Sequence, residues 1–189
     1  MRILCATLLA AGLAAGTAAN GQSTLRKSPE LAFSIPNNGQ KLLSEYRGKV
    51  VALEFILTTC VHCQAASKVM TGMQERYGSR GFQALDVAIN PNADLLLENF
   101  VKDFQVGFPV GWTPIEQMMA YMGFTERSVV PQLTLIDRDG MIHYQTPRLG
   151  DANSMKEEVI TQRIEELLAL RSSRHAKHVA SLAKARSLR

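Results

Sequence analysis

A mixed α/β layer fold, with a central β-sheet flanked by helices, is predicted by three features of the sequence. The run Val50–Leu57 is apolar on both faces apart from Glu54, the pattern of a central strand covered on either side. A helix-like segment from Cys63 to Tyr77 follows, with Val69 and Met73 at helical spacing and Gly78 just beyond its end. Phe82–Ile89 then reads as a second strand, and strand, helix, strand in that order implies a right-handed crossover and a parallel pair.

The other elements follow from the N-terminus. Arg2, the apolar stretch Ile3–Ala15 and the small residues Thr17-Ala18-Ala19 read as an export signal over residues 1–21. Cleavage after Ala19 or Gly21 is expected, with an uncleaved anchor helix as the alternative; the apolar run is short for a membrane span. Cys5 lies too early in this segment to carry a lipid and is expected to leave with it. The polar stretch that follows makes residues 22–29 a short tether to a domain over 30–170. Ala32–Ile35 and Lys41–Leu43 flank Pro36-Asn37-Asn38-Gly39 and suggest an N-terminal hairpin. After the central pair come a helix from Ala93 to Phe104, a short strand around Phe108-Pro109-Val110 and a helix from Pro114 to Tyr121. Pro114 suits the first turn of that helix, where a missing N–H costs nothing. Leu133–Asp137 and Met141–Tyr144 flank the turn sequence Asp137-Arg138-Asp139-Gly140. A last helix runs from Ser154 to about Arg171, with Ile160, Ile164, Leu167 and Leu168 along one side.

Composition narrows the function classes. Hydrophobic residues make up 46% and charged residues 20%, as in an ordinary globular chain, so the middle of the sequence is expected to fold. The net charge of +4 is a property of the tail. Residues 171–189 hold six of the 21 Lys and Arg and no acid, which leaves 15 basic against 17 acidic residues before them. The body therefore lacks a nucleic-acid-type basic balance. The tail reads as a solvated extension of the last helix, with lipid or partner binding as the alternative.

Cys60-Val61-His62-Cys63 lies where the central strand meets a helix. A cysteine at a helix N-terminus faces unpaired backbone N–H groups and the positive end of the dipole, which favours the thiolate. Three residues on, Cys63 returns to the same side of the first turn, within disulfide range. The geometry suits a nucleophile, Cys60, and a resolving thiol, Cys63. Half a zinc site finds no second cysteine pair in the mature chain, and haem attachment would need His where Gln64 stands. A structural disulfide stays open, although so small a loop closes little chain entropy.

The segments Phe33-Ser34-Ile35-Pro36, Tyr46-Arg47-Gly48-Lys49-Val50-Val51 and Cys60-Val61-His62-Cys63 resemble the exported thioredoxin-like group that includes the TlpA-like disulfide reductases, with an AhpC/TSA-redoxin type domain. Val130-Pro131-Gln132 through Asp139-Gly140 resembles the segment that carries the superfamily's cis-proline, and the helix–strand–helix insertion between Ala93 and Tyr121 fits the same branch. The resemblance covers about residues 30–170. It implies a thioredoxin-like fold, thiol–disulfide exchange with protein substrates and a cis bond between Val130 and Pro131. It implies substrate contact at the Val130 backbone, with Thr59 beside the first cysteine, and a proton-shuttling buried acid at Glu54, six residues before Cys60. It implies no organic cofactor, a membrane electron-donor partner, a periplasmic or secreted location, and service to cytochrome c maturation or general thiol maintenance. Two departures stand out. Relatives carry tryptophan just before the first cysteine, where this chain has Ile56-Leu57-Thr58-Thr59, and its one tryptophan, Trp112, lies in the insertion. The residues between the cysteines are Val-His, and a protonated or donating His62 would favour the reduced thiolate and a more oxidising pair. The direction of electron flow stays open on sequence alone.

Two rival functions stay in view. Peroxide reduction by Cys60 is suggested by the Tyr46-Arg47-Gly48-Lys49 segment shared with peroxiredoxins, but Leu57 and Leu53 stand where their threonine and proline would be. A copper-binding assembly factor would use Cys60, Cys63 and a histidine, with His143 the nearest thing to a third ligand. His143 reads equally as a surface strand residue, and Met118, Met119 and Met122 read as core before they read as metal ligands. His175 and His178 are too isolated in the tail to suggest a site.

Overall fold

The computed structural model describes residues 25–151 and 153–170. The export signal expected over 1–21 and the basic tail over 171–189 lie outside the described residues. Among those described, the chain forms β1 (Arg26–Lys27), β2 (Ala32–Ile35), β3 (Gly39–Leu42), β4 (Val50–Ile56), α1 (Val61–Tyr77), β5 (Phe82–Ala88), α2 (Ala93–Phe104), β6 (Val110–Trp112), α3 (Ile115–Met122), β7 (Gln132–Ile136), β8 (Met141–Gln145) and α4 (Glu157–Ala169). The strands make one sheet in the order β3-β2-β6-β5-β4-β7-β8-β1. β4, β5 and β6 run parallel, and the remaining pairs are antiparallel.

The apolar run of β4 earns its central place. Every residue of β4 and β5 is buried, because helices cover both faces and neighbouring strands cover both edges. Alternation along β4 splits the core into two layers. Val50, Ala52 and Ile56 face Met70 and Met73 of α1, Leu97 and Phe100 of α2, and Ile160 and Ile164 of α4. Val51, Leu53 and Phe55 face the other way, toward Phe33 of β2 and Met118, Tyr121 and Met122 of α3. Each large apolar side chain buried in this way contributes about 1.5–3 kcal/mol. Met118 and Met122 are thus core residues, and the Met122 sulfur accepts from Thr134 Oγ1 at 3.4 Å.

Several boundaries differ from the sequence reading, and the following have a clear local reason. Within the tether expected over 22–29, Arg26 and Lys27 join the sheet by pairing with Ile142 and Met141 of β8. α1 begins at Val61, two residues early, because Cys60 itself takes the N-cap. β6 starts after Pro109, whose missing N–H keeps it out of the ladder while its carbonyl still accepts from Asp86 N at 3.2 Å. α4 starts at Glu157, because Ser154 instead closes a turn through its amide and hydroxyl on the Asp151 carbonyl. Pro114 sits at the N-cap of α3, one position before the helical turn.

Two glycines give opposite expectations. A Cβ on Gly111 in β6 would lie 2.6 Å from Phe33 Cδ2 and 2.8 Å from the Ser34 carbonyl oxygen, so Gly111→Ala is expected to destabilise by about 1–3 kcal/mol. Gly72 in α1 has open space around it, so Gly72→Ala is expected to stabilise by about 0.5–1 kcal/mol. Urea unfolding of the two variants measures both; a neutral Gly111→Ala would mean β6 is not held against β2 as described.

Candidate active site

Parallel pairing of β4 with β5 closes at the bond from Ile89 N to the Ile56 carbonyl, 3.0 Å. The next four residues turn sharply into α1, and both neighbouring segments pin that turn. Thr58 N donates to Asn90 Oδ1 at 3.0 Å, Gln64 Nε2 donates to the Thr58 carbonyl at 3.1 Å, and Cys60 N donates to the Leu57 carbonyl at 3.1 Å. Cys60 is left at the N-cap, where its sulfur accepts from Cys63 N at 3.3 Å. The first turn of α1 contains no acid to compete with a negative sulfur. Both cysteines stand as free thiols, Cys60 half-buried and Cys63 with no exposed surface. Burial and the hydrogen bond to Cys60 push the Cys63 thiol far above the ordinary cysteine range.

The segment before β7 approaches the same end of the sheet. The Val130–Pro131 peptide is cis. Buried Gln132 holds the segment through its side-chain amide, which donates to the Val129 carbonyl at 2.8 Å and reaches the Pro147 and Arg148 carbonyls at 3.3 Å. Val129 N donates to the Arg148 carbonyl at 3.1 Å. Half-buried Val130 separates two depressions. One is a groove of about 610 Å³ that includes Leu57, Trp112 and Met119; the other includes His62, Val69 and Pro131. His62 is exposed at the second position of α1, and Thr59 is exposed and lines neither depression. Trp112, distant from the cysteines in sequence, is carried to the site's edge by β6.

Beneath the cysteines lies Glu54, wholly buried, with Leu133 of β7 opposite on one side and Asp86 of β5 on the other. Asp86 is also wholly buried, and Ser67 Oγ of α1 donates to its Oδ2 at 2.5 Å. Burial and the neighbouring Asp86 push Glu54 well above the usual carboxyl range, and burial pushes Asp86 up to about 7 against the hydrogen bond from Ser67. Sequence reasoning found Glu54 and missed Asp86, Ser67, Asn90 and Gln132. A signal for Asp86 was present, since Val50-Val51-Ala52-Leu53-Glu54 and Phe82-Gln83-Ala84-Leu85-Asp86 each place one acid at the fifth position of an apolar strand.

His143 is not brought to the cysteines. It sits beside the Ile136–Ile142 end of the β7–β8 ladder, where its Nε2 meets Asp137 Oδ2 at 2.8 Å, whereas the cysteines follow the other end of β4, opposite Gln132. Among the described residues no group of three or more His, Cys, Asp or Glu is arranged to hold a metal ion.

Two measurements check this geometry. With reduced protein at neutral pH, iodoacetamide is expected to modify Cys60 at least about tenfold faster than Cys63, read by peptide mass; equal rates would contradict the burial of Cys63. Because both carboxyls are raised on folding, their contribution to stability is fully present below the unfolded values, roughly 4; the Asp86 share is lost as pH rises through about 7, and the Glu54 share as pH rises through its own raised value. Asp86→Asn is expected to reduce that loss by on the order of 2–4 kcal/mol in urea titrations between these limits. An identical pH slope in the variant would show that Asp86 ionises as freely when folded as when unfolded.

The comparisons with known proteins agree with this geometry. The AhpC/TSA family model matches residues 27–145. The thiol-disulfide oxidoreductase ResA of Bacillus thuringiensis subsp. konkukian is 26% identical over 142 residues, covering 71% of this chain and 80% of that protein. ResA of Bacillus subtilis is 29% identical over 107 residues, covering 56% of this chain and 57% of its own. A crystal structure from Chlorobium tepidum, provisionally assigned as a thiol:disulfide interchange protein DsbE, superposes with a TM-score of 0.65 at 27% identity, covering 77% of this chain and 97% of that one. A thiol:disulfide interchange protein from Bacteroides sp. shares the fold, with a TM-score of 0.62 at 13% identity over 82% of this chain and 96% of the other. The chain belongs to the AhpC/TSA family, and within it is a thiol–disulfide oxidoreductase of the thioredoxin-like, TlpA-like type.

Proposed function

We propose that the protein is an extracytoplasmic reductase of protein disulfides working through Cys60 and Cys63. The observation that carries this reading is the asymmetry of the pair: a reachable sulfur at the start of α1, with a wholly buried thiol behind it whose amide points at that sulfur. Cys60 attacks the substrate disulfide, and one substrate thiolate leaves as the mixed disulfide forms. Cys63, having given its proton to Glu54, attacks the Cys60 sulfur and breaks the bond to substrate. The second substrate thiolate leaves with the bonding pair, and a Cys60–Cys63 disulfide remains. Two electrons have then passed from the dithiol to the substrate.

The backbone at Val130, beside the cis bond, offers an edge on which an extended substrate segment pairs, with exposed Thr59 flanking the sulfur and His62 tuning the pair from the second position of α1. The reducing direction is supported by the burial of Cys63. Burial disfavours its thiolate, so Cys63 adds no ionisation that would stabilise the reduced pair and make it oxidising. Export is supported by Arg2, the apolar Ile3–Ala15 and Thr17-Ala18-Ala19; among the described residues no helix is long and apolar enough to cross a membrane. A reductase outside the cytoplasm needs a donor to restore its dithiol, and a membrane electron-donor protein fills that role. The TlpA-like resemblance supports cytochrome c maturation or general thiol maintenance as the setting.

Turnover of a disulfide-bonded protein substrate, with a chemical dithiol as donor, tests the assignment. Cys60→Ser is expected to lower the rate by on the order of a thousandfold, and Cys63→Ser to accumulate a mixed disulfide between Cys60 and the substrate. A Cys60→Ser protein that still reduces substrate would overturn it.

A further inference from the structure

In-register pairing of β4 with β5 sets Glu54 directly beside Asp86 in the layer that faces α1. Neither side chain has any exposed surface. Three of their four carboxyl oxygens, Glu54 Oε1 and Oε2 and Asp86 Oδ1, have no hydrogen-bond donor among the described residues; the fourth, Asp86 Oδ2, takes the Ser67 hydroxyl. Among the described residues the surroundings supply no compensating cation. α1 presents Cys60, Cys63 and Ser67, β7 sets Leu133 opposite Glu54, β6 sets Val110 opposite Asp86, and α4 brings Ile160 and Ile164 to the same layer. Two adjacent carboxylates buried without a cation cannot both be ionised, because each is desolvated and each repels the other. One proton between them supplies the missing donor and removes half the charge.

We propose that Glu54 and Asp86 hold one proton between them as a pair, Asp86 acting as the positioning residue that lets Glu54 take the Cys63 proton when the mixed disulfide is resolved. The shared proton passes between the two acids: on Glu54 it leaves Asp86 ionised and held by the Ser67 hydroxyl, and on Asp86 it donates to one Glu54 oxygen and leaves the other to accept from the Cys63 thiol. The pair then becomes neutral as the Cys63 sulfur becomes negative, so buried charge is moved rather than created. Cys63 attacks Cys60, the Cys60–substrate bond breaks, and the substrate thiolate carries away the electron pair. The pair's second proton returns through solvent to that thiolate. Ser67 ties Asp86 to the turn that carries Cys63, since its hydroxyl also lies 3.1 Å from the Cys63 carbonyl. The role given to the proton rests on the function proposed above; the pairing itself does not.

Carboxyl carbon NMR titration of the reduced full-length protein, without substrate, is the test. Glu54 and Asp86 are expected to respond together at two steps separated by more than about one pH unit. In Asp86→Asn, Glu54 is expected to show a single step, at least about one unit below the pair's upper step. Ser67→Ala keeps both acids and removes the donor to ionised Asp86, so the pair's lower step is expected to rise; this variant decides the matter if Asp86→Asn does not fold. The pH midpoint for release of substrate thiol from a trapped Cys60 mixed disulfide is expected to move with these steps. Two carboxyls titrating independently, with Glu54 unmoved by Asp86→Asn and the lower step unmoved by Ser67→Ala, would overturn the proposal. A chain that failed to reduce protein disulfides would still show the coupled steps, so the two readings fail separately.

Discussion

The end of one parallel ladder organises this molecule. β4 and β5 stay paired from Val50–Phe82 to Ile56–Ala88, and when the pairing stops the chain has four residues in which to leave the sheet and start a helix. That short turn delivers Cys60 to the N-cap of α1 and sets the Cys63 amide 3.3 Å from its sulfur. The elements around it hold that geometry still. Asn90, at the exit of β5, and Gln64, in the first turn of α1, both bond Thr58, so the sulfur's position is tied to the sheet and to the helix at once. The cis Val130–Pro131 segment is locked from the far side by Gln132, and the two pinned segments frame the same surface.

The price of this arrangement is polar burial in the middle of an apolar layer. Glu54 and Asp86 occupy positions where Val or Ile would add a kilocalorie or more each, and two ionised carboxyls there would be strongly unfavourable. A fold that keeps such groups departs locally from the rule that buried charge is paired with opposite charge, and such departures gather where chemistry is done. The surrounding layer compensates with large, well-buried side chains: Met70, Met73, Tyr77 and Phe82 are all excluded from solvent, and Tyr77 meets Phe82 edge to face.

What could be read from the sequence was what is local in the chain. An unbroken apolar run gave away β4, because a strand covered on both faces needs no polar alternation, and the two cysteines next to it marked the helix start. Glu54 stood out as the single acid in that run. Asp86 was hidden although its setting is the same, because its meaning depends on which strand lies beside β4 and in which register, and those are long-range properties. The pull of Trp112 toward the site was hidden for a similar reason, since β6 reaches the sheet only through its pairing with β5 and β2. The strand made by Arg26 and Lys27 had no local signal at all: two charged residues pair with β8 because that edge was open.

The proposal is that the helix start makes Cys60 the attacking sulfur of one redox couple with Cys63, and that the buried thiol of Cys63 leaves this couple poised to give electrons away. Equilibration of the protein with glutathione buffers of graded potential tests this most directly. A single two-electron transition is expected, interconverting the dithiol and the Cys60–Cys63 disulfide at the reducing end of the range for this chemistry, near about −270 mV. A pair that closes only near about −120 mV, or that never closes as one couple, would contradict it.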